Sequence, residues 1–493
     1  MKDFDSYLNA IGEVGYIEQT TTSTLFASGL PLAKSGEIVI FESGKLGQVM
    51  STSKNLVEIL AFFAPPPKPG TRVVRTNELL HFPVGFELLG NIFDPLGNHL
   101  EITKPIKKPL KVLPINAKPS GIINRIAINR QFETGVCLVD LVIPLGHGQR
   151  ELIIGDRKTG KTSFLLQSVL TQAKKNNICI YAAIGRKKID IKELKDFFTK
   201  SGIMEKVVII AASSEDPTGI IYLTPYSAMT VAEFFRDEGY DVFIILDDLS
   251  THAKFYREIA LLGKRFPGRS SYPGDIFYAH ASLLERAGNF ITQKGEKAIT
   301  CFPVVETIQG DLSGYIQTNI MSMTDGHLYF DADLFAKGRR PAINPFLSVT
   351  RVGRQTQTNA QREINREILS FLTLFEKMQN FTHFGAELTE GTKITLSVGD
   401  EIIKFFGQNT STIIPLKVQI ILFCLLWNRI TQDRDSQDAR HNIERAIKAY
   451  QENKKLREEM DMLVEKATSF NGLLGILKQK GDKILADISK YGK

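Results

Sequence analysis

The sequence predicts an α/β core with a parallel sheet, preceded by an N-terminal β-barrel and followed by a C-terminal helical bundle. Three observations support this prediction. Short β-rich runs broken by Gly and Pro come first, short apolar runs alternating with amphipathic segments occupy the middle, and helical periodicity dominates the remainder. At 493 residues the chain is long enough for several domains. We place the barrel at 1–80, the α/β domain at 81–357 and the helical domain at 358–493.

The composition is that of an ordinary globular protein and excludes wholesale disorder. Apolar residues make up 43% of the chain and charged residues 23%. The 61 basic and 54 acidic residues leave a net charge of +7, an excess too small over this length to indicate nucleic-acid binding. The longest apolar run, 420–427, is far shorter than the roughly 20 residues of a membrane-spanning helix. No signal-peptide core follows Met1. We therefore expect a soluble intracellular protein.

The cysteines are scattered, and their spacing fits neither a zinc site nor a disulfide framework. They are Cys137, Cys179, Cys301 and Cys424. Because three of them lie in apolar stretches, we expect buried thiols and a reducing compartment.

The barrel prediction depends on β-rich runs at 15–18, 36–41 and 71–75, each bounded by turn residues. The proline-rich segment 65–69 is interpreted as a turn or rigid connector within the barrel.

The α/β prediction depends on four near-continuous apolar runs, 151–154, 178–184, 207–212 and 242–246. Such runs are typical of parallel strands covered by helices on both faces. Beyond 358, apolar residues such as Ile364, Ile368 and Phe375 recur at helical spacing, which predicts the core faces of helices.

A phosphate-binding loop follows the first of these strands. The segment Gly155-Asp-Arg-Lys-Thr-Gly-Lys-Thr162 matches G-x-x-x-x-G-K-[ST] in full, and a helix is predicted from about Thr162. Its backbone N–H groups and the helix N-terminus favour a phosphate, Lys161 would reach the β- and γ-phosphates, and the Thr162 hydroxyl would bind Mg²⁺. A turn that only joins a strand to a helix is the weaker alternative. The assigned nucleotide-binding residues are Gly155, Asp156, Arg157, Lys158, Thr159, Gly160, Lys161, Thr162 and Ser163.

A second Mg²⁺ ligand is predicted at Asp247, the first polar residue after the strand 242–246. Nucleotide sites of this class use a carboxylate at such a strand end. A solvated acidic strand end is the alternative interpretation of this residue.

The sequence offers no obvious catalytic base. The end of the strand near 183, where a water-activating carboxylate would be expected, carries Arg186 and two lysines. A guanidinium cannot accept a proton at neutral pH. Either Arg186 is a solvated charge and the base lies elsewhere, or this site binds nucleotide without hydrolysing it.

Further motifs make the chain resemble the α subunit of F-type rotary ATP synthases from about residue 12 to the C-terminus. The similarity is specific enough to separate it from secretion ATPases, V-type subunits and the helicase-like termination factor. The matching segments are 149–162, 246–250, 267–278, 283–287, 324–327, 340–344 and 347–353.

The resemblance implies a RecA-like core and a hexamer of three α and three β chains around a γ-type central stalk. It implies that this site holds ATP or ADP with Mg²⁺ and that catalysis belongs to the β-type partner. Where α subunits carry Gln, this chain has Arg186, which agrees with a non-catalytic site. The resemblance also implies a cytoplasmic location at the inner face of the cell membrane, with membrane association only through the complex, and no nucleic-acid partner.

Other site residues follow from the resemblance alone. Arg351 matches the arginine finger that reaches the γ-phosphate held by the partner, and Ser348 matches a position that the family needs for activity. Arg340 and Pro341 match the segment that borders the adenine, and Gln408 matches the adenine contact of the helical domain. Without the resemblance, Arg351 would be interpreted as a solvated or salt-bridged arginine.

Three departures from the family leave open which process the ATPase complex drives. Lys158 replaces a usual Gln, positions after Arg186 have diverged, and few residues precede the barrel where the family has a helix that docks the peripheral-stalk δ subunit. With its Lys-, Ile-, Asn- and Phe-rich composition, the chain resembles the divergent rotary-ATPase relatives of mycoplasmas. The presence of the usual peripheral-stalk partner is therefore left open, with a replaced partner as the alternative. Proton-coupled ATP synthesis or hydrolysis, an ATP-driven gliding motor, and a homohexameric secretion or translocation ATPase remain the alternatives.

Overall fold

The chain forms two compact units. The computed structural model describes residues 3–101, 111–383, 390–428 and 438–491. One unit comprises Met1–Ile126, Ala173–Thr307 and Asp311–Thr324, and the other comprises Ala127–Gln172, Ile308–Gly310 and Asp325–Lys493.

The first unit begins with a short helix and a closed six-stranded barrel. The order around the barrel is β1-β2-β5-β4-β3-β6, and its interior is filled by buried Ile, Leu, Val and Phe side chains. The predicted barrel is confirmed, whereas the helix that precedes it had no sequence prediction. Phe4 and Tyr7 of that helix pack on Ile40 and Val74. The elements are α1 Phe4–Ile11, β1 Val14–Thr20, β2 Thr24–Ser28, β3 Glu37–Phe41, β4 Leu46–Thr52, β5 Val57–Ala61 and β6 Arg72–Leu79.

Four short strands follow in the same unit. They are β7 His81–Val84, β8 Ile92–Phe93, β9 His99–Glu101 and β10 Lys111–Pro114. Strand β10 pairs antiparallel with β7, and β8 pairs antiparallel with β9.

The second unit then contributes the strand and helix that flank the predicted phosphate loop. Its elements here are β11 Gln131–Phe132, α2 Cys137–Val142, β12 Leu145–Gly146, β13 Glu151–Gly155 and α3 Lys161–Lys174. Helix α3 begins one residue before the predicted start.

The first unit continues with a largely parallel sheet in the order β18-β16-β14-β15-β8-β9, to which β17 adds antiparallel. Every residue of β15 and β16 is buried, as the continuous apolar runs predicted. The elements are β14 Ile178–Arg186, α4 Lys188–Lys200, β15 Val207–Ser213, α5 Thr218–Asp237, β16 Val242–Asp247, α6 Leu249–Leu262, α7 Ile276–Leu284, β17 Gly288–Thr292, β18 Gly295–Glu306 and α8 Tyr315–Met323.

The second unit ends with a small sheet and a set of helices. Strand β13 pairs parallel with β19, and β20 pairs antiparallel with β19. The elements are β19 Gly326–Phe330, α9 Ala332–Ala336, β20 Val349–Thr350, α10 Asn359–His383, α11 Glu390–Phe406, α12 Leu416–Trp427, α13 Asp438–Glu452, α14 Lys454–Lys466 and α15 Phe470–Ser489. Barrel, α/β core and C-terminal helices confirm the predicted fold class. The three-part division at 80 and 357 stays a prediction.

The apolar stretches predicted for the C-terminal part are core faces. Ile364, Ile368 and Phe375 are buried along α10, and most of the run 420–427 is buried within α12. None of the described helices is long and apolar enough to cross a bilayer. All four cysteines are buried, as predicted.

One buried ion pair makes a stability prediction possible. Arg286 is 2% exposed and donates to both carboxylate oxygens of Glu233, at 3.1 and 2.6 Å, and also to Ile115 O and Thr230 Oγ1. We expect Arg286→Met to lower the free energy of unfolding by about 3–5 kcal/mol, because the Glu233 charge would stay buried without its partner. Denaturant unfolding of the purified chain measures this loss.

The matched control is Arg72→Met, which removes an arginine from an exposed pair with Glu42 on the barrel. Exposed pairs contribute about 0–1 kcal/mol, so this variant should remain close to wild type. An Arg286→Met variant as stable as the control would contradict the assigned role of the buried pair.

Candidate functional site

The phosphate loop connects β13 to α3 within the second unit, and two of its glycines are required by its geometry. The backbone of Gly155 packs against β19 so closely that a Cβ there would lie 2.3 Å from the carbonyl oxygen of Phe330. Gly160 has φ +94°, a left-handed conformation that side chains disfavour, immediately before the helix. Both glycines of the G-x-x-x-x-G-K-[ST] motif are therefore explained by the backbone conformation of the loop.

Lys161 lies against its own loop. It is 8% exposed, and its Nζ donates to the carbonyl oxygens of Gly155 and Asp156 at 2.7 and 2.6 Å. The Thr159 hydroxyl donates to the same Asp156 carbonyl at 2.7 Å, and the Asp156 carboxylate accepts from Gly310 N at 3.0 Å. These bonds keep an ammonium group inside the turn, where it can exchange carbonyl for phosphate oxygens.

Several residues of the phosphate loop and of the first turn of α3 are exposed to solvent. Arg157, Lys158, Thr162 and Ser163 are exposed, and the first turn of α3 contains no acidic residue. A cationic loop at the positive end of a 14-residue helix is well suited to an anion. The Thr162 hydroxyl remains accessible for the metal-binding role that the sequence predicts.

The predicted magnesium carboxylate, Asp247, lies buried at the end of β16 in the first unit. Its Oδ1 forms an ion pair with Arg186 Nη2, and its Oδ2 accepts a hydrogen bond of 2.5 Å from the Tyr181 hydroxyl. Each carboxylate oxygen therefore has a partner within the first unit. The assignment of Asp247 to Mg²⁺ stays a prediction.

The neighbouring charges support this description. Burial by itself would lower the pKa of Arg186, but Asp247, Tyr181 and Asp248 together outweigh that effect and the pKa is raised. Asp248 caps α6 by accepting from Thr251 N at 2.6 Å, and burial, together with the charge of Asp247, raises its pKa to about 6. The sequence left open whether Arg186 is a solvated charge, and the structure pairs it with Asp247.

Arg351 directly follows β20 and is exposed. Its backbone N–H donates to the Asp325 carbonyl at 3.0 Å, and the Asp325 carboxylate accepts from Arg150 at 2.8 and 3.1 Å. Ser348 links the same segment to β19, because its hydroxyl donates to Asn344 O at 2.6 Å and accepts from Tyr329 N at 2.9 Å. The backbone that carries Arg351 is therefore fixed, and the residue is exposed.

Glu151, a carboxylate buried beneath this segment, had no prediction from the sequence. Its Oε2 accepts from Gln149 at 2.7 Å, and its Oε1 has no hydrogen-bond partner among the described residues. Burial raises the pKa of Glu151 well above its ordinary value, whereas the hydrogen bond from Gln149 and the charge of Arg351 act in the opposite direction. An acidic residue at the start of an otherwise apolar strand was the available signal.

The residues predicted to border an adenine share one cavity in the second unit. Arg340, Pro341 and Gln408 line a space of about 320 Å³, together with Leu138, Ile343, Phe406 and Ile414. The guanidinium of Arg340 lies 3.4 Å from the centre of the Phe335 ring. Apolar walls with a few polar groups are typical of a small-molecule site.

The Gln408 side chain forms hydrogen bonds with other residues of the chain at the wall of this cavity. Its Nε2 donates to Gly135 O and Thr412 O at 2.5 and 2.6 Å, and its Oε1 accepts from Cys137 N at 3.1 Å. Both polar atoms of its side chain are thus bonded within the chain. Gln408 shapes the wall, and its predicted contact with adenine remains untested.

Comparisons with known proteins agree with this architecture. Residues 135–350 match the family model described as the nucleotide-binding domain of the ATP synthase alpha/beta family, and 357–472 match that of the C-terminal domain of the ATP synthase alpha/beta chain. The chain is also similar to ATP synthase subunit alpha of Aquifex aeolicus, with 36% identity over 480 residues that cover 95% of each chain. The chain belongs to the ATP synthase alpha subunit family.

Other members of the alpha subunit family are similarly close. Subunit alpha of Neorickettsia sennetsu is 38% identical over 431 residues, which cover 86% of this chain and 84% of the relative. Subunit alpha of Caldanaerobacter subterraneus subsp. tengcongensis is 35% identical over 486 residues, which cover 97% and 96%. The resemblance stated from the motifs is therefore confirmed, and the phosphate loop lies inside the matched nucleotide-binding domain.

Proposed function

We propose that this alpha-family chain binds ATP or ADP without hydrolysing it and supplies Arg351 to the catalytic site of a β-type partner. The observation that carries the proposal is the ion pair of Arg186 with Asp247. A guanidinium that stays protonated cannot activate water, and here it stands at the strand end where a water-activating carboxylate would be expected.

Nucleotide binding is assigned to residues 155–163, with Lys161 as the phosphate-binding cation. The loop contacts described above support this assignment, because they hold the Lys161 ammonium close to the backbone of the turn. Thr162 is proposed as the Mg²⁺ ligand on this loop, and the cavity lined by Arg340, Pro341 and Gln408 is proposed for the base.

The arginine-finger role is assigned to Arg351, with Ser348 as the residue that fixes its segment. The exposure of the Arg351 side chain on a firmly bonded backbone supports this role. A finger must reach a phosphate on another chain while its own backbone stays in place.

The proposed assembly contains three such chains and three β-type catalytic chains around a γ-type central stalk. It would lie on the cytoplasmic side of the membrane and associate with it only through the complex. An ATP-driven motor with a non-proton load is the second candidate, which the divergent positions after Arg186 favour. A homohexameric ATPase would need a carboxylate that the Arg186 position does not offer.

The test is ATP turnover by the purified chain alone and after addition of its β-type partner. We expect bound nucleotide without turnover in the chain alone and turnover only in the mixed complex. Robust hydrolysis by the chain alone would overturn the non-catalytic assignment and favour the homohexamer. Identification of the proteins that co-purify with the complex then separates a proton-coupled enzyme from a motor with another load.

A further inference from the structure

A buried carboxylate with one unbonded oxygen lies beside the segment that carries Arg351, and both belong to the second unit. Glu151 is 0% exposed, and its Oε2 accepts from Gln149 Nε2 at 2.7 Å. Its Oε1 is also buried and has no hydrogen-bond partner in the part of the chain that the structure describes. A buried carboxylate oxygen without a donor is unfavourable and is uncommon in folded proteins, so a function for this one is sought in its surroundings.

The register of three strands places Glu151 level with the end of β20. Glu151 is paired with Gly326 of β19, and Gly326 is paired in turn with Thr350 of β20. Paired residues of neighbouring strands direct their side chains to the same face of a sheet. Gly326 has no side chain, and a Cβ there would lie 2.6 Å from Glu151 Oε2 and 3.0 Å from Oε1. The carboxylate therefore lies over Gly326, toward the strand that ends immediately before Arg351.

Gln149 fixes the carboxylate relative to β20. The same Nε2 that donates to Glu151 also donates to Thr350 Oγ1 at 3.3 Å. The Thr350 hydroxyl in turn donates to Pro144 O at 2.8 Å. Since Thr350 is the residue before Arg351, these bonds hold the Glu151 carboxylate in a defined position relative to the Arg351 backbone.

The charged and titratable groups near Glu151 come from three elements. Arg150 is bonded to the Asp325 carboxylate at 2.8 and 3.1 Å, so this pair is internally neutralised. Burial lowers the pKa of His327 on β19, so its ring is neutral at pH 7. Burial raises the pKa of Glu151, and the charge of Asp325 adds to this effect, whereas the charge of Arg351 lowers it. Arg351 is therefore the cation that favours the ionised form of Glu151.

We infer that Glu151 is a positioning residue for Arg351: its Oε1 accepts from one edge of the guanidinium, while the other edge remains available to a phosphate held by the partner. The inference rests on the proposed function, namely that Arg351 is an arginine finger. A guanidinium has five N–H donors in a planar fork, so it can bond a carboxylate and a phosphate at the same time. A cation held in this way needs little reordering when charge develops on the phosphate.

The experiment measures steady-state ATP hydrolysis by the mixed complex as a function of ATP concentration. Glu151→Gln keeps an oxygen that can accept from Gln149 and replaces Oε1 by an NH₂ group, which cannot accept from Arg351. We expect kcat to fall about tenfold, the size of a lost charge-assisted hydrogen bond, and KM to stay within about twofold. The matched control is Glu367→Gln, which neutralises an exposed carboxylate on α10 and should keep both constants.

The pH profile distinguishes positioning from a purely structural role. Only ionised Glu151 can accept from Arg351 at Oε1, and burial raises the pKa of this carboxyl group. Turnover of the wild-type complex should therefore decline toward that of Glu151→Gln as the pH falls through this raised pKa, at a higher pH than for an ordinary glutamate. The ratio of the two turnover numbers should approach one on the acid side. A ratio that stays constant with pH would indicate a structural defect and would overturn the inference.

Two further variants complete the test. In an Arg351→Ala background, Glu151→Gln should cause no additional loss, because the guanidinium that it positions is gone. Glu151→Asp keeps the charge but withdraws it by one methylene group, so we expect a partial loss of kcat. This variant keeps the inference testable if the Glu151→Gln complex does not assemble.

The outcomes separate the inference from the proposed function. Wild-type kcat in assembled complexes of Glu151→Gln and Glu151→Asp, together with a large loss in Arg351→Ala, would overturn the positioning role and leave the arginine finger intact. An additional loss from Glu151→Gln in the Arg351→Ala background would also overturn the positioning role. Wild-type turnover in Arg351→Ala would contradict the proposed function itself.

Discussion

The Arg351→Ala replacement is expected to lower ATP turnover by the assembled complex by a factor of about 10³ to 10⁵, the usual contribution of an arginine finger. The loss should appear in the turnover number, because the finger stabilises charge that develops in the transition state. Nucleotide binding by this chain itself should be unchanged, since the proposed binding loop is the separate segment 155–163.

The structure supports a large effect for a local reason. Arg351 follows a strand pair in which Thr350 is aligned with Gly326, and its backbone N–H is bonded to Asp325. Removing the side chain beyond Cβ leaves these backbone bonds in place. The variant should therefore keep the local backbone, although Glu151 loses a nearby positive charge. Recovery of the assembled complex at the wild-type yield is needed before lost turnover is assigned to the finger.

Steady-state ATP hydrolysis by the mixed complex measures this effect, alongside ATP affinity of the isolated chain. Arg366→Ala is the matched control, because Arg366 is an exposed arginine on α10. Turnover of the Arg351→Ala complex within a few-fold of the control would refute the arginine-finger assignment.

A Lys161→Ala variant is expected to weaken ATP binding by the chain about 100-fold or more, because a charge-assisted contact to the phosphates disappears. The complex should nevertheless retain part of its turnover, since catalysis is assigned to the partner. The two replacements are therefore expected to differ. Lys161→Ala weakens nucleotide binding by this chain, whereas Arg351→Ala lowers ATP turnover at the catalytic site of the partner.

Equilibrium dialysis with ATP checks the binding loss, with Lys174→Ala as the control, an exposed lysine near the end of the same helix. Two results would count against the proposal. One is wild-type affinity in Lys161→Ala, and the other is a loss of turnover as complete as that of Arg351→Ala, which would contradict the division of labour between the two kinds of chain.

The features that sequence predicted well are those with local signals. The phosphate loop was recognisable because its glycines and Lys161 occur at fixed spacing, and the buried strands because runs such as 207–212 are apolar throughout. The barrel was predicted from turn residues between short β-rich runs. In each case neighbouring residues along the chain carry the whole pattern.

The features that sequence did not predict depend on contacts between distant residues. The Arg186–Asp247 pair spans 61 positions and needs a bulge at Gly185 that alternation alone does not indicate. The internal bonds of Gln408 reach back to Cys137 and Gly135, more than 270 positions away. For Glu151 the only local signal was an acidic residue at the start of an apolar strand, which is also a common place for a solvated carboxylate. A single sequence carries no direct record of such pairings.

The closed barrel of β1–β6 also bears on aggregation. Each of its six strands pairs with a neighbour on both sides, so the barrel exposes no row of backbone donors and acceptors to another chain. Open strand edges are the usual starting point for intermolecular β-sheet growth. Several copies of this chain can therefore lie close together without starting fibril growth through their barrels, and recognition between neighbouring copies depends on side chains.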